Sequence, residues 1–257
     1  MTIGLLPVLI ASLIFDLQNT LRILSISIAS GFVCDYLFAK LNHQNLMWRD
    51  GSTFYQCALF AFLLPAQISV QAILVGVFFV IVIAKECFGG FGKNIFQPAL
   101  VGRAALFVLF REESFSFLKN FDANGSGGAG SGMIGEVSIL AIVIGGAYLV
   151  YRSFVLWKTP VIFLLTLFGV SMLNGIQSVA GLFTGSVFFA AFFLVGDSVV
   201  SPVASNGRVL SALFAAACVS FLKQKLTYPE AVTYGILLTN TLVPLMDRYL
   251  KPKREFR

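Results

Sequence analysis

Apolar residues gather along this chain in ten runs, near 3–16, 21–39, 53–65, 69–86, 96–110, 136–151, 159–174, 180–196, 207–222 and 229–247. Each run is bounded by charges, glycine or proline. A helix needs about 20 apolar residues to cross a bilayer, and fewer where it is broken or half-inserted. The pattern therefore predicts an all-α, polytopic membrane protein of about ten transmembrane helices. Little polar sequence separates the runs, so residues 1–257 read as a single membrane domain with no extramembrane domain. Two runs are interrupted: the third ends at Leu64-Pro65 and the eighth runs into "GDSVVSP". Such backbone is tolerated at membrane depth only where it is buried in protein or lines a cavity. The opening "MTIGLLPVLIASLIF" lacks the basic n-region and small-residue cleavage site of a secretory signal, and reads as the first span.

The two halves follow one plan. "FYQCALFAFLLP" (54–65) leads through an apolar run to "NIFQPALVGRAALF", and "VFFAAFFLVGDSVVSP" (187–202) leads through another to "LLTNTLVPLMDRYL". Repeat one covers about 3–110 and repeat two about 136–247, with an outer Gly/Ser-rich loop at 111–135 and a basic tail at 248–257 between and after them. Copies with an odd number of spans insert in opposite directions. This is the inverted-repeat plan, in which the functional site lies at the repeat interface near mid-membrane. Placing both termini in the cytoplasm puts twelve of the 18 Lys/Arg on or beside the inner stretches, with five outside and Arg103 within a span. The positive-inside rule supports that orientation.

Composition agrees with the pattern: 58% apolar, 12% charged and a mean hydropathy of +0.88, against about 25% charged residues in soluble domains. The net charge of +6 does not point to nucleic acid, because five cations crowd the last ten residues, directly after a span. Cys34, Cys57, Cys87 and Cys218 stand far apart, without a C-x-x-C pair, so no disulfide framework or zinc site is encoded. Of the four, Cys87 sits beside the glycine cluster. One histidine, His43, cannot build a metal or haem site unaided. Twenty-seven phenylalanines read as packing and lipid-facing residues.

The chemistry concentrates in "ECFGGFGKNIFQPALVGRAALF" (86–107). Gly89, Gly90 and Gly92 permit positive φ or close backbone approach, and a helix is expected to start near Asn94 with Pro98 in its first turn. A helix N-terminus offers free N–H groups to a phosphate, a carboxylate or a ring oxygen. No P-loop or dinucleotide-binding pattern is present. Gly89, Gly90, Gly92, Asn94 and Gln97 are thus the candidate cofactor-binding residues, and no catalytic or metal-binding set is encoded. Ionisable residues within spans are costly and mark function or buried pairing. Asp197, after the broken eighth run, is the preferred candidate for touching a coupling cation, joined by Arg103 and Glu136. A carboxylate such as Glu136 at a span start also simply caps a helix. Asp35 snorkels at the inner end of the second span, and Asp50 N-caps the third.

Five ordered blocks, "RDGSTFYQCALFAFLLP", "KECFGGFGKNIFQPALVGRAALF", "GEVSILAIVIGG", "GSVFFAAFFLVGDSVVSP" and "YPEAVTYGILLTNTLVPLMDRYLKP", resemble a family of membrane subunits. Its members are RnfD, from the Rnf ion-translocating electron-transport complex, and NqrB, from the Na+-translocating NADH:quinone oxidoreductase. The resemblance runs from about residue 4 to 253, and the chain length is closer to the Rnf protein. It implies a ten-helix fold in the bacterial inner membrane and partner subunits, both membrane and peripheral. It also implies a flavin cofactor (FMN or riboflavin) and coupling of electron flow to Na+ or H+ movement.

One departure stands out. The family attaches FMN to the threonine of a Ser-Gly-Ala-Thr motif in the outer segment between the fifth and sixth spans. Here no threonine occurs between Thr53 and Thr159, so a flavin would be held non-covalently or be absent. Ser126 and Ser131 lie in the tract "NGSGGAGSG", a flexible linker that is either a natural shortened loop or a replacement. Two other readings remain open: a stand-alone inverted-repeat transporter, and a cofactor-free scaffold in such a complex.

Overall fold

The computed structural model describes residues 1–41, 51–90, 92–111, 133–173 and 184–250. His43, Trp48, Asp50, Ser126 and Ser131 lie outside these residues. Among the described residues ten α-helical segments follow the ten apolar runs: α1 (Leu6–Phe15), α2 (Leu17–Leu41), α3 (Ser52–Phe62), α4 (Val70–Phe78), α5 (Pro98–Leu109), α6 (Ile139–Tyr151), α7 (Lys158–Leu173), α8 (Gly185–Phe189), α9 (Ser205–Leu222) and α10 (Tyr228–Leu250). Three helical stretches, Leu17–Leu41, Val70–Phe88 and Ser205–Leu222, are long and apolar enough to cross a membrane. α10, of 23 residues, is long enough but less apolar, and the remaining helices are shorter.

Local chemistry sets the ends. Ser69 and Ser138 cap α4 and α6, each hydroxyl accepting from the backbone N–H three residues on (3.3 Å each). Pro98 occupies the first turn of α5, where its missing N–H costs nothing. Pro65 stops α3 because the residue before a proline is pushed out of the helical region. Both α4 and α8 close with a π-helical turn, Phe79–Ile83 and Ala190–Leu194. Each extra residue rotates the downstream backbone by about 100°. Lys85 and Asp197 follow these turns by two and three residues and are buried, at 3% and 1% exposure.

In the first half α2 packs on α3 and α4, and α4 with its π turn packs on α5; in the second, α7 packs on α9 and α9 on α10. α1 lies against α6, where a Cβ at Gly145 would run into the Gly4 carbonyl. α5 crosses between the halves, touching both α3 and α10. A continuous buried core joins them, with Phe60, Phe62, Phe163, Phe189 and Phe193 among its largest side chains.

Candidate functional site

Two breaks in the helices meet inside the bundle. The first is the stretch after Lys85: one 3-10 turn (Glu86–Phe88), then irregular backbone at 89–90 and 92–97 before Pro98. Gly89, Gly90 and Gly92 have φ of 95°, 89° and 85°, as their expected positive φ requires. The helix after them begins at Pro98 with Gln97 as its cap, four residues later than the sequence suggested, which leaves Asn94 in the loop. Proline fixes the start, since the residues before it are held extended. The second break lies between the π turn at Ala190–Leu194 and Ser205.

Gln97 and Asp197 join the breaks. Gln97 Nε2 donates to Asp197 Oδ2 (2.9 Å), the Val199 N–H donates to Asp197 Oδ1 (3.0 Å), and the Tyr55 hydroxyl lies alongside. From the far end of the chain, with the Asn240 carboxamide turned so that both of its ends are satisfied, its oxygen accepts from the Gln97 N–H (3.1 Å) and its nitrogen donates to the Ile236 carbonyl (3.3 Å). Asn240 thereby satisfies a donor that the start of α5 leaves free. The proline four residues on, Pro244, sits inside α10 and removes the hydrogen bond that the Asn240 carbonyl would otherwise accept.

Side chains answer carbonyls freed at the second break and at the separate interruption after Pro65. Arg22 Nη2 donates to the carbonyls of Ala66 (2.9 Å) and Ile68 (3.3 Å) beyond Pro65. The Ser201 hydroxyl reaches the carbonyls of Val195 (3.2 Å) and Asp197 (2.7 Å), and Arg208 Nε reaches that of Pro202 (2.9 Å). The groups left unanswered are therefore informative: among the described residues, both polar side-chain atoms of Asn94, Gln97 Oε1, and both of Gln56 on α3 are buried without a partner. Buried amide groups of this kind are ordinarily paired. Next to backbone opened by three glycines, the carboxamides of Asn94 and Gln97 present the mixed donors and acceptors that suit the polar edge of a flavin ring. The Gln97 and Asp197 oxygens together suit a hard cation. The residues present thus fit both expected ligands.

Sequence reasoning grouped Gln97 with the glycines, and set Asp197 apart as an ion candidate; the structure brings the two into one site. It does not bring Arg103 and Glu136 there. Arg103 lies on α5, its guanidinium over the Phe107 ring at 5.5 Å. It lines a narrow cavity with Leu63, Leu64, Pro65, Ile68, Leu106, Phe107 and Met133 that has room for about one water. Glu136 ends the 3-10 turn Ile134–Glu136; the cap of α6 is Ser138, not Glu136.

A second buried charge cluster was not foreseen. Asp35 does not snorkel: it is 7% exposed, accepts from the Thr53 hydroxyl (2.7 Å) and pairs with Lys85 Nζ (3.3 Å). Lys85 Nζ also reaches Thr53 Oγ1 (2.7 Å) and Glu86 Oε1 (3.1 Å). All three ammonium hydrogens have acceptors. The only sequence signal was "KE" placed just before the glycines, and it read as a cytoplasmic charge because a π turn cannot be foreseen from hydropathy.

The profile of the NQR2, RnfD, RnfE family matches residues 1–255, almost the whole chain. The chain belongs to that family. Its similarity extends to the D subunit of the proton-translocating ferredoxin:NAD(+) oxidoreductase complex of Clostridium ljungdahlii, 31% identical over 277 aligned positions, covering 91% of this chain and 83% of that one. The D subunit of the Na(+)-translocating ferredoxin:NAD(+) oxidoreductase complex of Acetobacterium woodii is 31% identical over 278 positions, covering 98% and 87%. The D subunit of the ion-translocating oxidoreductase complex of Actinobacillus succinogenes is 23% identical, covering 97% and 90%. The first two alignments are longer than this chain, so those relatives carry residues that it lacks. As a member of the NQR2, RnfD, RnfE family with this run of apolar helices, it is a multi-pass membrane protein.

Proposed function

We propose that this chain is the membrane subunit of an Rnf-like complex, in which flavin-mediated electron transfer is coupled to translocation of Na+ or H+. The observation that carries the reading is the Gln97–Asp197 contact between the two broken segments. It sets a cation-competent carboxylate against carboxamides whose polar atoms have no other partner. Relatives whose names describe both proton- and Na(+)-translocating ferredoxin:NAD(+) oxidoreductase complexes support the same reading, and partner subunits with it.

Asn94 and Gln97 would orient the ring edge of a non-covalently held flavin, and the positive-φ glycines would let backbone N–H groups approach it. Bound there, a flavin would supply one- and two-electron redox chemistry. Asp197 would hold a cation near it, so that a change of charge at the ring is felt by the cation at short range.

The parallel packing of α2 on α4 with α7 on α9, and of α4 on α5 with α9 on α10, supports two inverted five-helix repeats within one membrane domain. Together with the positive-inside distribution, it supports about ten spans in a bacterial inner membrane with both termini cytoplasmic.

The test is a flavin spectrum. The complex is purified in mild detergent with its partner subunits, each subunit is separated after denaturation, and released flavin is measured. Wild-type complex should release yellow cofactor without leaving any bound to this chain. A variant carrying Asn94→Ala and Gln97→Leu should lose one flavin per complex. Equal flavin content in variant and wild type would overturn the assignment.

A further inference from the structure

Asn240 also borders a cavity that the Gln97–Asp197 contact does not use. It lies between the second break, α9 and α10, has room for about one water, and is lined by Val195, Ser201, Ser211, Thr239 and Asn240 together with apolar side chains. Each of its three hydroxyls has already spent its proton on a main-chain carbonyl. Ser201 donates to Val195 (3.2 Å) and Asp197 (2.7 Å), Ser211 to Arg208 (2.9 Å) and Thr239 to Gly235 (2.8 Å). Since a hydroxyl has one proton and two lone pairs, what these three can offer the cavity is oxygen lone pairs.

Main-chain oxygens add to them. The helix that begins as α8 ends at the break through its π turn, so the negative end of its dipole falls at Leu194 and Val195, which border the cavity. On α10, Pro244 has taken the helical donor from the Asn240 carbonyl. Carbonyls at interrupted helices and at half-helix C-terminal ends are the ligands that hold Na+ inside membrane proteins. We propose that this cavity is a Na+-binding site, built from the Ser201, Ser211 and Thr239 hydroxyls and from the carbonyls that the π turn and Pro244 leave free.

The charge around the break matches one univalent cation. Among the described residues, three charged side chains are hydrogen-bonded to the backbone of 195–203: Asp197 through the Val199 N–H (3.0 Å), Asp247 through the Val203 N–H (2.9 Å) and Arg208 through the Pro202 carbonyl (2.9 Å). Two carboxylates against one guanidinium leave one negative charge over. The lining side chains are themselves uncharged, which serves a divalent ion poorly, since such ions take carboxylates as ligands. The proposal rests on the reading of this chain as an ion-translocating subunit and deepens it. Through the Ser201 bond to the Asp197 carbonyl, the cavity gives a cation held at the Asp197 carboxylate a second site on the same stretch of backbone.

The test needs neither flavin nor turnover. Thermal unfolding of the purified complex is followed while NaCl replaces choline chloride at constant ionic strength, which removes general screening from the comparison. Wild type should melt higher as Na+ rises, and the rise should saturate, as binding to the folded state alone requires. Thr239→Val and Ser211→Ala each remove one ligand and should move the half-saturating Na+ concentration up by about tenfold or more, with flavin content unchanged. Thr239→Ser keeps the hydroxyl and should restore the response. Thr233→Val should leave it as in wild type, because the Thr233 hydroxyl makes the same kind of bond, to the Pro229 carbonyl (2.7 Å), but does not line the cavity. Should Thr239→Val fail to assemble, Ser211→Ala alone must show the shift. Equal melting of wild type in Na+ and choline would mean that the cavity takes water only, and overturns the proposal. A response lost in Asp197→Asn but untouched by the Thr239 and Ser211 changes overturns it too, while leaving the Gln97–Asp197 reading standing.

Discussion

Replacing Lys85 by methionine keeps the length and the apolar stem of the side chain and removes only the ammonium. The lysine is 3% exposed and stands 3.3 Å from Asp35, 3.1 Å from Glu86 and 2.7 Å from the Thr53 hydroxyl. Without it Asp35 keeps one hydrogen bond, from Thr53, and its charge has no counter-ion in the interior. Removing one partner of a buried pair costs about 3–5 kcal/mol. Glu86 loses an ion pair to the same ammonium at nearly the same side-chain exposure, 11% against 10% for Asp35, so that figure is a lower bound. For a chain of this size each kcal/mol moves the melting temperature by roughly 2–4 °C, so Lys85→Met should melt at least about 6 °C below wild type. Adding Asp35→Asn removes the stranded charge, and the double variant should recover more than half of that loss. The assay is thermal unfolding of the detergent-solubilised complex, followed by fluorescence, for wild type, both single variants and the pair. Equal melting of Lys85→Met and wild type, or additive losses in the double variant, would refute the view that the ammonium and Asp35 act as a unit.

Gly90→Ala and Gly92→Ala should each cost about 1 kcal/mol, as loss of thermal stability, because φ near 89° and 85° disfavours any Cβ. Open space around both positions means that no steric loss adds to this, so a drop of several kcal/mol would show that these glycines touch something else. Asn240→Leu removes the acceptor of the buried Gln97 N–H. It should destabilise by roughly 1–3 kcal/mol and lower flavin retention together with stability, which denaturant titration and the flavin spectrum read on one sample.

Hydropathy made the helices legible because burial in lipid demands an unbroken apolar run, and each described helix falls within one of the ten runs or close to its ends. The breaks were legible too, since glycine and proline act through local backbone sterics. Register was not. The π turns at 79–83 and 190–194 leave no mark in an apolar run of Phe, Val, Ile and Ala, and the buried Lys85 and Asp197 lie just beyond them. For the same reason Lys85 read as a loop charge and Asp35 as a snorkelling one. Asn240 was visible only as half of a repeated Asn-x-x-x-Pro pattern. That it answers the Gln97 N–H is a long-range pairing that no local rule supplies.

The distance along the chain between the partners at that meeting point has a consequence for biogenesis. Gln97 waits for Asp197, 100 residues downstream, and then for Asn240 on α10. Until α10 has been inserted, the Gln97 N–H lacks the acceptor that Asn240 supplies. A chain ending before Asn240 would lack that acceptor, so the last helix completes the start of the fifth.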